Sequence, residues 1–399
     1  MSSGVTYPRG FRASGVAAGL KPSGALDLAM LMGDAGTTAA GLFTTNTVVA
    51  APVVLSRTHL ASGTARGVLV NSGQANAATG ARGEDDALAV LSATAAVLGV
   101  GVGELLACST GVIGEPIHME PLLAGVPGLV GALDADGGRR FAEAIMTTDS
   151  VTKEATADVG PIRVGGAAKG VGMLAPSLAT MLAFVTTDAR AASADLDALA
   201  HERLAPAFEA VTVDGCRSTN DAVLLFASGA AGSPALAPGD DGWAAFASAV
   251  GEVGDALASQ LIHDGEGVTH VLLIDVAGAA DVEDARRAAR AVAGSPLVKT
   301  AAFGENPNPG RIVQALGASG VAFDPADVDV WIGDARVVAH GVIPPAYFRL
   351  GELQEAAAAA MRGSEVSLRV SIGHGPGSAR VLGGDLSYDY VKINGEYTT

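Results

Sequence analysis

"MLAPSLATMLAFVTTDA", residues 173–189, is mostly apolar chain with Thr180 set between Ala179 and Met181. Threonine is a good strand former, and one in such a run ordinarily satisfies its hydroxyl on a neighbouring carbonyl. The surroundings complicate that plain reading, because Lys169 and two glycines, Gly170 and Gly172, lie just upstream. Lysine is scarce in this chain, occurring only as Lys21, Lys153, Lys169, Lys299 and Lys392. A lysine among glycines beside apolar chain either runs its stem along the surface to water or, if desolvated, holds a carboxylate.

Outward from this stretch, strand-like segments alternate with alanine-rich helical ones, which points to an α/β or α+β architecture. "GVLVNSG" (67–73) reads as a strand and "EDDALAVLSATAAVLG" (84–99) as a helix with acids at its positive end. "LLACSTGVIGEP" (105–116) reads as a strand ending in a Ser-Thr-Gly turn, and "RFAEAIMTTDS" (140–150) as a helix breaking at Thr147, Thr148 and Asp149. "IRVGGAAKGVGML" (162–174) reads as a strand followed by glycine-rich chain, and "AVLLFASG" (222–229), "THVLLIDVAG" (269–278) and "SEVSLRVSIGHG" read as strands; "VEDARRAARAVAGSP" (282–296) and "LQEAAAAAMRG" read as helices, and "VDVWIGDARVVAHG" as a hairpin. No short repeat and no long linker marks a domain boundary.

Composition narrows the function. With 49% hydrophobic residues the chain has the makings of a folded protein rather than a disordered one. A net charge of −17 disfavours nucleic acid and anionic lipid, and no apolar run is long enough for a membrane span, so small metabolites are the expected partners. Cys108 and Cys216 stand far apart, and the histidines lack HExxH spacing, so no metal site is expected. The start, "MSSGVTYPRGFRASG", lacks the apolar core of a signal peptide, which makes the cytoplasm the default expectation. "GVGVG" (99–103) follows a helix and has no GK[ST], so it reads as a helix stop rather than a phosphate loop.

For Thr180 to act as a nucleophile it needs a base, and no Ser/His/Asp set in a known order is visible. A threonine that becomes a new chain terminus supplies its own: an α-amine with a reference pKa of ~7.7–8.0. The segment "AKGVGMLAPSLATMLAFVTTDA" (168–189) resembles the signature of the ornithine acetyltransferases, also called bifunctional glutamate N-acetyltransferases, of the cyclic arginine pathway. Further blocks follow in family order: "STGVIGEP" (109–116), "AIMTTDS" (144–150), "STNDAVLLFASG" (218–229), "DGEGVTH" (264–270), "SPLVKTAAFGENPNPGR" (295–311) and "VKINGEYTT" (391–399). The likeness runs over essentially the whole chain.

The resemblance implies a layered α/β/β/α sandwich and self-cleavage of the Ala179–Thr180 bond. Two chains would result, 1–179 and 180–399, staying together as a heterotetramer with two copies of each. It further implies ping-pong transfer of an acetyl group from N-acetylornithine to glutamate through acetyl-Thr180, with no cofactor and with acetyl-CoA left open as a second donor. Thr110 and Gly111 would form the oxyanion hole. Thr147, Lys169, Thr180, Glu266, Asn394 and Thr399 would bind substrate, Lys169 taking the α-carboxylate and Glu266 an ammonium. Departures from the family pattern are Asn306, Pro309, Cys216 and Arg217, none of them in the expected nucleophile or oxyanion set. Two other readings are an aminopeptidase or amidohydrolase of the same self-cleaving type, which passes the acyl group to water, and an uncleaved binding protein.

Overall fold

The run that follows Met181 is a strand with every residue buried, Leu182–Thr187. Full burial suits a continuous apolar run in a central strand covered on both faces, whereas a half-exposed strand would alternate. The computed structural model describes residues 3–63, 65–173, 181–349 and 351–396. Ala179, Thr180 and Thr399 lie outside the described residues.

Numbered along the chain, the strands are β1 (Phe11–Val16), β2 (Leu28–Gly33), β3 (Thr38–Phe43), β4 (Gly67–Gln74), β5 (Leu105–Val112), β6 (Lys153–Val159), β7 (Ile162–Lys169), β8 (Leu182–Thr187), β9 (Val211–Thr212), β10 (Ala222–Ala227), β11 (Val271–Ala279), β12 (Asp329–Ile332), β13 (Ala335–Val338), β14 (Glu365–Ser371) and β15 (Gly377–Gly384). They divide between two units. One holds the chain to Glu209 together with Cys216–Leu261, and the other holds Ala210–Gly215 and the chain from Ile262.

In the first unit a four-stranded sheet, β1-β2-β4-β5, faces a five-stranded one, β3-β10-β8-β7-β6. Leu31, Val70 and Leu106 from the former meet Phe184, Leu224 and Phe226 from the latter in one apolar interior. Helices α1 (Ala51–Leu60), α2 (Gly80–Leu98) and α3 (Met119–Gly131) lie on the four-stranded sheet, where Leu91, Leu122 and Leu129 pack on Met30 and Leu69. α4 (Gly138–Ala144) adds Phe141 to the interior, edge-on to Phe184 with ring centroids 5.0 Å apart. α5 (Ser193–Leu199) packs on β3, and α6 (Ala205–Glu209) leads into the second unit. α7 (Trp243–His263) sets Val253 and Leu257 against Gly166 of β7. The order is helix, sheet, sheet, helix, the layered α/β/β/α sandwich expected above.

The second unit is a six-stranded sheet ordered β13-β12-β14-β11-β15-β9. α8 (Val282–Ala293), α9 (Pro296–Phe303), α10 (Pro309–Gly317) and α11 (Glu352–Met361) contribute to its core, and α12 (Tyr388–Glu396) is the last described element. The α8 face of Ala285, Ala288 and Ala289 is small enough to sit closely on β11 and β15. β14 alternates buried and less buried residues along its length, the pattern of a sheet with one face packed.

Two local expectations change. Ser109, Thr110 and Gly111 are not a turn: β5 continues through them, paired in parallel with Asn71, Ser72 and Gly73 of β4. A polar triple with glycine looks like a turn locally, but a neighbouring strand supplies the hydrogen bonds that keep it extended. The helix expected over 84–99 begins at Gly80, so Glu84 and Asp85 lie in its second turn rather than at its positive end.

Candidate active site

β7 ends on Lys169, which the antiparallel register sets opposite Leu182 of β8. β8 and β10 run in parallel from the same end, Leu182 opposite Ala222. The sheet thereby brings Lys169, Met181 and the Ser218–Asp221 run before β10 to one place. Thr110, Lys169, Met181, Ser218, Asn220 and Asp221 line a small cavity there.

Lys169 is buried. Its Nζ donates to Thr147 Oγ1 at 2.6 Å and to Thr110 Oγ1 at 3.1 Å. It also lies 4.0 Å from Asp149 Oδ2. Asp149 Oδ1 accepts from Lys153 Nζ at 2.7 Å and from Gly170 N–H at 2.8 Å, while Oδ2 accepts from Thr147 N–H at 3.0 Å. Burial alone would raise this carboxyl, but the charges of Lys169 and Lys153, with the hydrogen bonds from Lys153 and Thr147, hold it at about 2. Lys21 sits close enough to feel Lys169: its Nζ donates to the carbonyls of Leu26 and Met146, both at 2.7 Å. Burial lowers its pKa to about 8, with Asp27 opposing and Lys169 adding to the fall. Two buried ammonium groups share the Asp149 carboxylate, and a buried ammonium at a cavity suits an anion.

Thr110 and Gly111 are fixed by β4 and by Asn220, whose Nδ2 donates to Ser109 O at 2.9 Å and Ala75 O at 2.6 Å. Gly111 has φ +125°, and a Cβ there would lie 2.2 Å from the Gly73 carbonyl oxygen. Only glycine fits so close to a neighbouring backbone. Because the Thr110 oxygen accepts from Lys169, its own O–H remains to be aimed at another acceptor, as an oxyanion donor must be.

Asp221 is buried beside Met181, whose N–H it accepts at 3.3 Å through Oδ1. Burial pushes its carboxyl well above the ordinary range, opposed by that N–H, by the Ser218 and Thr44 hydroxyls and by the Lys169 charge. In the second unit, Asn394 Nδ2 on α12 donates to Glu266 Oε2 at 2.9 Å and to Tyr390 O at 3.1 Å. Among the described residues no group of His, Cys, Asp and Glu is arranged to hold a metal ion, and no helix is long and apolar enough to cross a membrane.

A model of the ArgJ family matches residues 12–399. The arginine biosynthesis bifunctional protein of Symbiobacterium thermophilum is 45% identical over 100% of this chain and 99% of its own. That of Parasynechococcus marenigrum is 47% identical over 100% of this chain and 96% of its own. Among solved structures, an ornithine acetyltransferase from Mycobacterium tuberculosis, complexed with ornithine, is 47% identical over 44% of this chain and 95% of that one, with a TM-score of 0.43. The chain belongs to the ArgJ family. As an ArgJ-family protein it is an enzyme of the acyltransferase class.

In this ArgJ-family chain, Thr110, Gly111, Thr147 and Lys169 come together in the first unit, Glu266 meets Asn394 in the second, and Thr180 and Thr399 lie outside the described residues. Sequence reasoning passed over Asp149, Lys153, Asn220 and Asp221. Asp149 reads locally as a helix-breaking polar residue, and only its spacing from scarce Lys153 could have flagged it. Asn220 and Asp221 stand in a quoted block but were given no role.

Proposed function

We propose that the chain cuts itself between Ala179 and Thr180 and uses the exposed threonine to carry acetyl from N2-acetylornithine to glutamate in arginine biosynthesis. The Thr180 hydroxyl attacks the Ala179 carbonyl, the acyl group moves from nitrogen to oxygen, and one water hydrolyses the ester. The chains 1–179 and 180–399 result, and the second begins with a free amine. That amine accepts the hydroxyl proton as Thr180 attacks the acetyl carbonyl, then passes it to the departing ornithine nitrogen. Attack by the glutamate α-amine on acetyl-Thr180 completes the cycle, and no cofactor enters.

In this reading the Thr110 hydroxyl and Gly111 N–H stabilise both oxyanions, and Lys169 with Thr147 takes the α-carboxylate common to both amino acids. The family resemblance assigns Glu266, Asn394 and Thr399 to substrate as well. The observation that carries the reading is the joining of Lys169 to both Thr110 and Thr147 at a cavity that Met181, the residue after Thr180, also lines. The names of the relatives support the pathway. Because β7 pairs with β8 and β3 with β10, strands from either side of the cut share one ladder, which supports chains that stay joined. We assign the assembly two copies of each chain and a cytoplasmic setting.

The test is purified protein given N2-acetylornithine with and without glutamate. Multiple-turnover ornithine release that depends on glutamate, with a second amino terminus reading Thr-Met-Leu, is expected; acetate release indifferent to glutamate would make the enzyme a hydrolase instead. Thr180→Ala should leave one uncut, inactive chain of about 39.5 kDa by denaturing mass spectrometry. Acetyl-CoA is assayed as a donor alongside.

A further inference from the structure

The proposed chemistry gives Lys21 no task, yet its ammonium lies within the field of Lys169 and Asp149. It stands in the loop between β1 and β2, and that loop is wrapped on the fully buried Asp27 carboxylate, which accepts the main-chain N–H groups of Ala18 at 2.6 Å, Gly19 at 3.1 Å, Leu20 at 2.6 Å and Lys21 at 3.0 Å. From this fixed base the Lys21 side chain donates to Leu26 O and Met146 O. Met146 O belongs to the same peptide group as the Thr147 N–H, which Asp149 Oδ2 accepts at 3.0 Å. A cation therefore holds one end of that peptide and an anion the other. Two residues earlier, Ala144 O accepts from Ser72 Oγ at 2.6 Å, so the chain entering Thr147 is pinned at two carbonyls. Burial and the Lys169 charge both work against an ammonium here. Fastening a loop to neutral carbonyls in this way is costly, since an apolar side chain would fill the space without a charge to desolvate.

We propose that Lys21 is a positioning residue for substrate binding: by holding the Met146 carbonyl it orients Thr147, whose hydroxyl oxygen in turn aims the Lys169 ammonium at the substrate carboxylate. The inference rests on the carboxylate-binding role proposed above for Lys169 and Thr147, and it extends that role to a residue that meets no substrate atom. Rotation of the 146–147 peptide would swing Thr147 Oγ1 away from Lys169 Nζ, a contact of 2.6 Å. Lys169 would keep Thr110 and turn toward Asp149, already 4.0 Å away, rather than toward an incoming anion. Loss of Lys21 should consequently weaken capture of both amino acids and leave the transfer steps, which run through Thr180 and Thr110, near normal.

The experiment is a double-mutant cycle on KM for N2-acetylornithine and for glutamate, with Lys21→Met, Thr147→Val and the two combined in the purified enzyme. Lys21→Met should raise both KM values roughly 3–10-fold with kcat changed less than about twofold, the size of coupling between side chains in one network. In the Thr147→Val background the same change should add less than about twofold, because no Thr147 hydroxyl is left to misplace. If Lys21→Met does not fold, Lys21→Gln, which keeps a donor on a shorter stem, takes its place in the cycle with the same expectation. Equal factors in both backgrounds, as a structural role or a direct contact with substrate would give, overturn the proposal. An unchanged KM in the single variant, or a loss confined to kcat, also overturns it. Failure of the substrate reading is separate: Thr147→Val alone would then leave both KM values unchanged, or wild-type protein would show neither the Thr-Met-Leu terminus nor transfer.

Discussion

Lys169 in the first unit and Lys299 in the second are both buried, and each lies near aspartates. Lys169 spends its donors on two side-chain hydroxyls, Thr110 and Thr147, brought in from separate segments at the edge of a cavity. Lys299, on α9, donates to the Gly384 carbonyl at the end of β15. Burial lowers its pKa to about 8, against the pull of Asp385 and Asp214. Asp385 is itself held by Thr269 N–H at 2.9 Å, by the Thr269 hydroxyl at 2.5 Å and by His270 Nδ1 at 3.1 Å. The second lysine ties a helix to a strand carbonyl, whereas the first gathers hydroxyls from two other segments at the edge of a cavity. Scarcity and burial do not separate the two; the destination of the donors does.

That contrast breaks most sharply at Thr110. Thr110→Val keeps the shape of the side chain and removes the hydroxyl, so kcat should fall by ~10²–10³ with KM little changed. Full activity in steady-state assays of this variant would move the oxyanion role elsewhere. Lys169→Met should act mainly on KM, raising it roughly 10–100-fold. Asp149 remains neutralised by Lys153 in that variant, so the fold should survive. Unchanged KM for both substrates would reduce Lys169 to the structural status of Lys299.

The local pieces of this site were legible in sequence, and their convergence was not. The apolar character of the run around Thr180, the scarcity of lysine and the oddity of Thr180 are properties of short windows. The meeting of Lys169 with Thr110 depends on two different sheets facing each other, and nothing in either window records it. Thr110 and Gly111 were assigned to the oxyanion hole by resemblance yet to a turn by local chemistry, because the β4 partner that straightens them precedes them by a helix. Asp149 and Asp221 were missed for a related reason: an aspartate beside Thr or Asn looks like loop polarity until its burial is known. The division into units was equally hidden, since the chain enters the second unit for Ala210–Gly215, where β9 pairs with β15, and returns without any linker composition.

Asp149→Asn sharpens the comparison from the acidic side. The amide keeps the shape but leaves Lys153 and Lys169 without their shared counter-charge, and KM should rise by about tenfold. Asp149 titrates at about 2 in the fold against an ordinary 3.8. A depressed carboxyl contributes stability that is complete above pH 3.8 and disappears as the pH falls through 2. Acid unfolding followed by circular dichroism should therefore be flatter between those limits in the variant. An identical acid limb would show that Lys169 does not depend on this carboxylate.

Lys299→Met should have the smallest effect on catalysis, less than about twofold in kcat/KM per folded molecule, because none of its partners touches the proposed chemistry. Its signature should appear instead in stability against pH. Lys299 titrates at about 8 when folded and 10.5 ordinarily, so between these values the unfolded chain binds more protons than the folded one. Wild-type stability should gain from this group as pH rises from 8 to 10.5, by ~3 kcal/mol at most for a shift of 10.5 − 8 = 2.5. Below pH 8 the charge is carried in both states and the gain is absent. The Met variant removes the titrating group, so denaturant midpoints across that window should flatten while turnover persists. A folded Met variant that keeps the wild-type slope but loses turnover would reverse the roles assigned to the two lysines.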